Sequence, residues 1–382
     1  MRVLILHTVA IDPQKGGIEK ASRVLADALI SRGNAVFFMA MMEVFKETCD
    51  RSRQFFFPSE KIYAAENELF LKNFLEEKKI DVCIFQAGDD KRVPFPCVFR
   101  ETGVRLIVAV HTDPEFFRPL VRGKFELKYG NTAARLLSPI VALKIFFRKR
   151  KQTKLYAGNA AAAEKVVLLS SKFFPRFSKY VEKKDCGKIC VIPNAIEKIP
   201  NDSNISAKQK EILYVGRISL GEKRTDLLLK IWKEVQDDFP DWRLTLVGGG
   251  SDEEELRKLA MRLQLKRISF EGFQNPEKYY ARASVFCLTS AFEGFGLVLV
   301  EASAFGCVPM AFNSYPAAEE IIQNRTNGIL VPAFDLRSYA DELRLLMRND
   351  ALRNQFSVAA HKNATRFSIE NIIPLWEHVL KN

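Results

Sequence analysis

Residues 288–301 read LTSAFEGFGLVLVE. An apolar run at 285–289 leads into a turn of small residues and then into a second apolar segment, the pattern of a buried strand followed by a helix. Two carboxylates, Glu293 and Glu301, stand eight positions apart, a little over two helical turns. A helix that begins near Glu293 would carry both on one face. Between them, Gly294-Phe295-Gly296 lets a ligand approach backbone N–H groups closely. The first turn of the following helix offers unpaired N–H groups and the positive end of a dipole, which suits a phosphate. One local unit thus offers acceptors for hydroxyls and donors for phosphate, and a nucleotide-sugar is a ligand that carries both.

Outward from this stretch, the second half alternates strand and helix. Strands are expected at 212–215, 243–247, 268–270, 308–312 and 328–331. Helices are expected at 224–239, 253–263, 276–283, 316–323, 336–348, 350–365 and around 372–380. Gly216-Arg217 ends the first of these strands and Gly248-Gly249-Gly250 follows the second. The first half has the same pattern: a strand at 3–6, a loop at 8–17 ending Lys15-Gly16-Gly17, a helix at 18–32, Gly33 as its stop, and a strand at 35–40. That is a βαβ unit. The Gly16-Gly17 pair alone reads either as a turn or as a phosphate loop. Further strands are expected at 81–86, 106–110 and 166–169. The second of these ends at His111, where ligands of open parallel sheets sit. A lone His there is either structural or functional. Polar, turn-prone residues 201–210 (NDSNISAKQK) mark the junction, and the expected domains are 1–192, 193–365 and 366–382.

The 382 residues suffice for two domains, and a 47% apolar share with 27% charged residues fits a globular protein. The net charge of +12 calls for an acidic partner: phosphates, anionic lipid or nucleic acid. Much of that charge falls in 118–154, where Arg118, Arg122, Lys124, Lys128, Arg148, Lys149, Arg150 and Lys151 surround the apolar run 136–147. This reads either as a basic amphipathic element for an anionic bilayer or as a core helix with a solvated basic turn. No aromatic–basic nucleic-acid motif accompanies it, so nucleic acid is not expected as a partner. Seven cysteines at irregular spacings suggest a reducing compartment. Cys186-x3-Cys190 lacks the second pair a zinc site needs. No run reaches the 18–20 apolar residues of a membrane span, and no leader is evident, so a cytoplasmic location is expected, peripheral on the membrane's inner face if 118–154 binds it. Asp89-Asp90 reads as a surface turn rather than a metal motif.

Arg217 and Lys223 flank a Gly-containing loop after a strand, and a guanidinium with an ammonium on one loop can hold a diphosphate. Together these motifs resemble the family 4 retaining glycosyltransferases. Ser290, Glu-x7-Glu (Glu293, Glu301) and Gly306-x-x-Pro309 carry the resemblance. So do Val215-Gly216-Arg217 with Lys223, Val191-Ile192-Pro193-Asn194, Val247-Gly248-x-Gly250, Phe270-x-Gly272 and Asn327-Gly328. They cover 190–332 closely. The first half matches only at Gly16-Gly17 and His111, and Ala195 and Glu197 depart from the usual Gly and Asp.

The resemblance implies an α/β GT-B fold: two Rossmann-like domains facing across a cleft, with the last helix crossing back to the first. It implies retaining transfer of a hexose from a nucleotide-diphosphate sugar, without metal or other cofactor. Arg217 and Lys223 would hold the pyrophosphate. Glu301 would take the ribose and Glu293 the sugar hydroxyls. The N–H groups of Gly296, Leu297 and Val298 would reach the sugar or phosphate, and Phe273 would border the base. Gly17 would let the first loop reach the phosphate, and His111 would lie near the reacting sugar. A UDP-sugar of galactose or N-acetylhexosamine type, and a glycan or lipid-linked acceptor in bacterial surface polysaccharide synthesis, are the expected substrates. Rival readings are a nucleotide-sugar epimerase or a phosphorylase on a similar scaffold, and a non-catalytic basic membrane-surface binder.

Overall fold

Strands buried on both faces read as continuous apolar runs, and such runs build two parallel sheets here. A computed structural model describes residues 1–11, 16–42, 54–200 and 208–382, with side chains at 126–127 and 131–135 excepted. Lys15, Cys49 and most of the expected junction at 201–210 lie outside the described residues.

The first unit comprises Met1–Glu115, Phe146–Glu197 and Ile369–Asn382. Its strands are β1 (Arg2–Val9), β2 (Ala35–Met42), β3 (Gln54–Phe56), β4 (Val82–Phe85), β5 (Arg105–Val110), β6 (Lys165–Leu168) and β7 (Ile189–Val191). They lie in the order β3-β2-β1-β4-β5-β6-β7, every pair parallel. Leu6 pairs with Phe85, and Phe85 with Val108, so β1, β4 and β5 end at about the same level. Helix Gly17–Ser31 buries Val24, Leu25 and Leu29 in a core that also holds Val3, Ile5, Ile107 and Val167. Ile372, Ile373, Trp376, Val379 and Leu380 of the last helix, Ile369–Lys381, join the same core. The Arg105 guanidinium donates to the Leu380 carbonyl at 2.6 Å, and Arg32 pairs with Glu377 at 3.1 Å. The last helix therefore belongs to the first unit, as the GT-B resemblance implies.

The second unit comprises Phe116–Ile145 and Lys198–Ser368. Its strands are β8 (Gln209–Val215), β9 (Arg243–Val247), β10 (Ile268–Phe270), β11 (Ala283–Leu288), β12 (Val308–Asn313) and β13 (Ile329–Pro332), ordered β10-β9-β8-β11-β12-β13 and again parallel. In each sheet the chain moves outward over three strands, returns past the first and continues on its other side. The reversal falls between β1 and β4 in one unit and between β8 and β11 in the other, where open sheets of this kind take ligands.

Residues 116–145, expected in the first domain, group with the second unit. Within it, the Phe116 ring lies 6.3 Å from that of Phe292. Helix Phe117–Leu136 breaks at Gly130 (φ 76°, ψ 162°), and helix Ser138–Ala162 follows. Among the described residues no helix is long and apolar enough to cross a membrane.

Candidate active site

The loops after β8, β9, β10 and β11 converge at the reversal point of the second sheet. Backbone bonds lace the first three. Gly216 N–H donates to Val247 O at 3.0 Å, Ile218 N–H to Gly249 O at 3.0 Å, and Gly248 N–H to Gly272 O at 2.8 Å. The approach is too close for side chains: a β-carbon on Gly248 would lie 2.1 Å from Gly216 O, and one on Gly250 2.1 Å from Ile218 O. The fourth loop is tied on by Ala291 N–H to Glu222 O at 2.8 Å and by Thr289 Oγ1 to Arg224 O at 3.0 Å.

On this frame Lys223 Nζ lies 2.8 Å from both oxygens of Glu293, and Ser290 Oγ donates to Glu293 Oε1 at 2.7 Å. The Lys223 and Glu293 side chains are largely buried. Arg217, whose side chain is 61% exposed, pairs with Glu222 at 2.5 Å, and Glu222 lies 3.6 Å from Lys223. Glu222 was missed as a site residue although it stands between the two cations in sequence. Its carboxylate contacts both.

The helix after this turn runs Leu297–Ala304, not from Glu293, which corrects the reading of a shared helix face. Gly296 caps it in the left-handed region (φ 93°), and with Gly294 in the turn it delays helix entry by one turn. Glu293 therefore belongs to the turn and Glu301 to the helix. The two carboxylates are held by different partners, Glu301 by the Tyr280 hydroxyl at 3.0 Å. No sequence signal marked Tyr280, which comes from a helix of six residues, Glu277–Arg282. Leu297 and Val298 open the helix beside Gly296. Phe273 is 73% exposed and stands against Gly249, where a β-carbon would lie 3.2 Å from its ring.

His111, Gly16 and Gly17 belong to the first unit. His111 follows β5, and its Nε2 donates to Gln86 Oε1 at 2.5 Å. Burial, helped by nearby His7, depresses the imidazole pKa to about 3, so at neutral pH the ring is uncharged. It is a neutral hydrogen-bonding group, not a cation. Gly16 caps helix Gly17–Ser31, and a β-carbon there would lie 2.0 Å from the Glu19 carboxylate, which folds back over the helix start. A β-carbon on Gly17 would meet nothing within 4 Å.

Asp89 corrects the surface-turn reading. It is buried, because Gln152 and Asn159 of helix Ser138–Ala162 donate to the carbonyls of Asp89 and Gly88 at 2.9 and 3.0 Å and cover the turn. Burial raises its carboxyl to about 6. Asp90 stays exposed. Cys83 and Cys287 are buried strand residues.

Residues 195–363, which carry this constellation, match the family described as glycosyl transferases group 1. An uncharacterized glycosyltransferase of Haemophilus influenzae is 33% identical over 201 residues, 52% of this chain and 57% of that protein. A Campylobacter jejuni enzyme is 31% identical over 43% of this chain and 44% of its own. It is named N-acetylgalactosamine-N,N'-diacetylbacillosaminyl-diphospho-undecaprenol 4-alpha-N-acetylgalactosaminyltransferase. The chain thus matches about half the length of these curated relatives. The fold extends further. Anabaena HepE, solved with UDP, superposes with a TM-score of 0.75 over 100% of both chains at 18% identity. Both Rossmann-like units of the GT-B fold are thus accounted for, and the segment that matches the family contains every second-unit site residue read from the sequence.

Proposed function

We propose that this chain is a retaining glycosyltransferase that moves a hexose from a nucleotide-diphosphate sugar to a glycan or lipid-linked acceptor. The observation that carries the reading is the ion pair Lys223–Glu293, set with Ser290 beside the N-terminus of helix Leu297–Ala304, with Arg217 one carboxylate away. The pair keeps a cation in place where a phosphate is expected. A diphosphate takes Lys223 and Arg217, and Glu293 is released to the sugar hydroxyls. Glu301, aligned by Tyr280, receives the ribose, and Phe273 borders the base. Breaking the anomeric bond builds negative charge on the departing diphosphate, and the positioned cations and helix N–H groups stabilise it. No divalent metal is needed in this scheme. The acceptor hydroxyl attacks on the leaving-group side, which retains configuration.

Relatives support a donor of UDP-sugar type and a lipid-linked acceptor. HepE was solved with UDP, and the Campylobacter enzyme is named for a diphospho-undecaprenol substrate. The exposed apolar side chains Ile140, Leu143, Phe146 and Phe147 share helix Ser138–Ala162 with Lys144, Arg148 and Lys151. Such a face suits an anionic bilayer that carries the acceptor. The test is a screen of UDP-, GDP- and ADP-sugars with a polyprenyl-diphosphate saccharide in EDTA, the product's anomeric configuration being read by NMR. Transfer with retention supports the proposal. Absence of transfer with every donor, inversion, or a strict need for divalent metal contradicts it.

A further inference from the structure

Tyr315, just past β12, is 3% exposed, and its hydroxyl has no hydrogen-bond partner among the described residues. The other buried phenols of the second unit are all satisfied. Tyr214 donates to Arg217 O at 2.7 Å, Tyr279 to Glu271 at 2.9 Å, Tyr280 to Glu301 at 3.0 Å and Tyr339 to Met310 O at 2.9 Å. A buried polar group without a partner is rare enough to need a cause.

The direction of the hydroxyl supplies one. A β-carbon built on Gly296 would lie 2.7 Å from Tyr315 Oη, so the phenol points at the residue that caps helix Leu297–Ala304. The preceding residue is fixed: Ser314 Oγ donates to Ser290 O at 2.7 Å, which ties this loop to the turn that holds Glu293. Burial and the nearby Glu293 carboxylate push the phenol well above its ordinary range, so it keeps its proton and is a donor. A proton donor held without a partner beside a helix N-terminus is arranged for an anion.

We propose that the Tyr315 hydroxyl donates a hydrogen bond to the sugar-bearing phosphate of the donor, completing the shell formed by Lys223 and the first N–H groups of helix Leu297–Ala304. This rests on the nucleotide-sugar reading of the same site. The phosphate reaches the phenol when Glu293 gives up Lys223. Because the hydroxyl has no partner among the described residues, removing it should weaken diphosphate binding without loosening the fold, which a structural hydroxyl cannot do.

The experiment compares the wild type with Tyr315→Phe by calorimetric titration in EDTA. The probe is whichever of UDP, GDP and ADP binds the wild type most tightly, alongside its monophosphate. Thermal unfolding is measured without nucleotide. The expected result is a diphosphate Kd raised about tenfold or more, as for the loss of a hydrogen bond to a charged group. The monophosphate Kd should stay within about twofold, and the melting temperature should be unchanged or higher. Equal diphosphate affinity in the two proteins overturns the role of Tyr315. So does a lower melting temperature with both nucleotides weakened in parallel, which marks a structural hydroxyl. If the wild type binds no nucleoside diphosphate, the nucleotide-sugar reading itself falls. If Lys223→Ala abolishes binding while Tyr315→Phe leaves it intact, that reading stands and only the Tyr315 assignment is lost.

Discussion

Lys223 is paired with Glu293, and this shapes what its removal does. The pair is largely buried, with Ser290 as the carboxylate's other partner. Lys223→Ala leaves a buried carboxylate without a counter-charge, which costs up to about 3–5 kcal/mol. Turnover should fall about 10²–10³-fold as well. The double variant Lys223→Ala/Glu293→Gln should regain most of the stability and none of the turnover. Urea unfolding beside a transfer assay separates the two effects, and a double variant as active as wild type would show that the pair is only structural. Two buried groups of the first unit titrate with opposite signs. Asp89 is raised from 3.8 to about 6, so its contribution is full below about pH 4 and lost as pH rises through 6. His111 is lowered from 6.5 to about 3, so its contribution is full above about pH 6.5 and lost as pH falls toward 3. In the wild type they partly offset each other between pH 4 and 6. Asp89→Asn should therefore gain roughly 2–3 kcal/mol over wild type at pH 7.5 compared with pH 4. Denaturant midpoints at the two pH values check this, and parallel curves would contradict the burial argument. Neither shift was legible in the sequence, where Asp89-Asp90 looked like an exposed turn, because the residues that cover Asp89 come from a helix some sixty positions on.

At the scale of elements, the loops after β8, β9 and β10 depend on backbone proximity that the sequence announced only as a run of glycines. Gly248→Ala places a methyl on the Gly216 carbonyl, and its φ of 125° suits only glycine. It should cost several kcal/mol and disperse the site loops. Gly33→Ala, also at positive φ but in open space, should cost about 1–2 kcal/mol, the price of the backbone conformation alone. Similar melting temperatures for the two variants would contradict the close loop packing. The turn 289–296 shows where sequence reading failed locally. Strand β11 and the apolar helix were both foreseen, but two glycines moved the helix start to Leu297, and local periodicity does not register that. Tyr280, Glu222 and Tyr315 were missed for a related reason. Tyr280 and Tyr315 meet the site through contacts distant in sequence, Glu222 is an ordinary loop acid until its two neighbouring cations are placed, and none carries a local motif.

Over the whole molecule, the alternation of apolar runs and amphipathic helices was enough to read two parallel sheets, because each strand is short, buried and bounded by turn residues. The grouping of residues 116–145 with the second unit was not readable, since it follows from contacts such as Phe116 with Phe292 rather than from position in the chain. That region also carries much of the net charge of +12. Vesicles containing anionic lipid should bind the protein, with affinity falling at high salt and on Phe146→Ser/Phe147→Ser substitution. Failure to bind either neutral or anionic vesicles in a sedimentation assay would reject a membrane role.

The central claim is that the loops at the reversal point of the second sheet grip a nucleoside diphosphate. Titration of UDP, GDP and ADP in EDTA against wild type and Arg217→Ala tests it most directly, because Arg217 is exposed and its loss should leave the fold intact. One of the three should bind with one-to-one stoichiometry and weaken at least about tenfold in the variant. Failure of all three to bind, or equal affinity in both proteins, would contradict it.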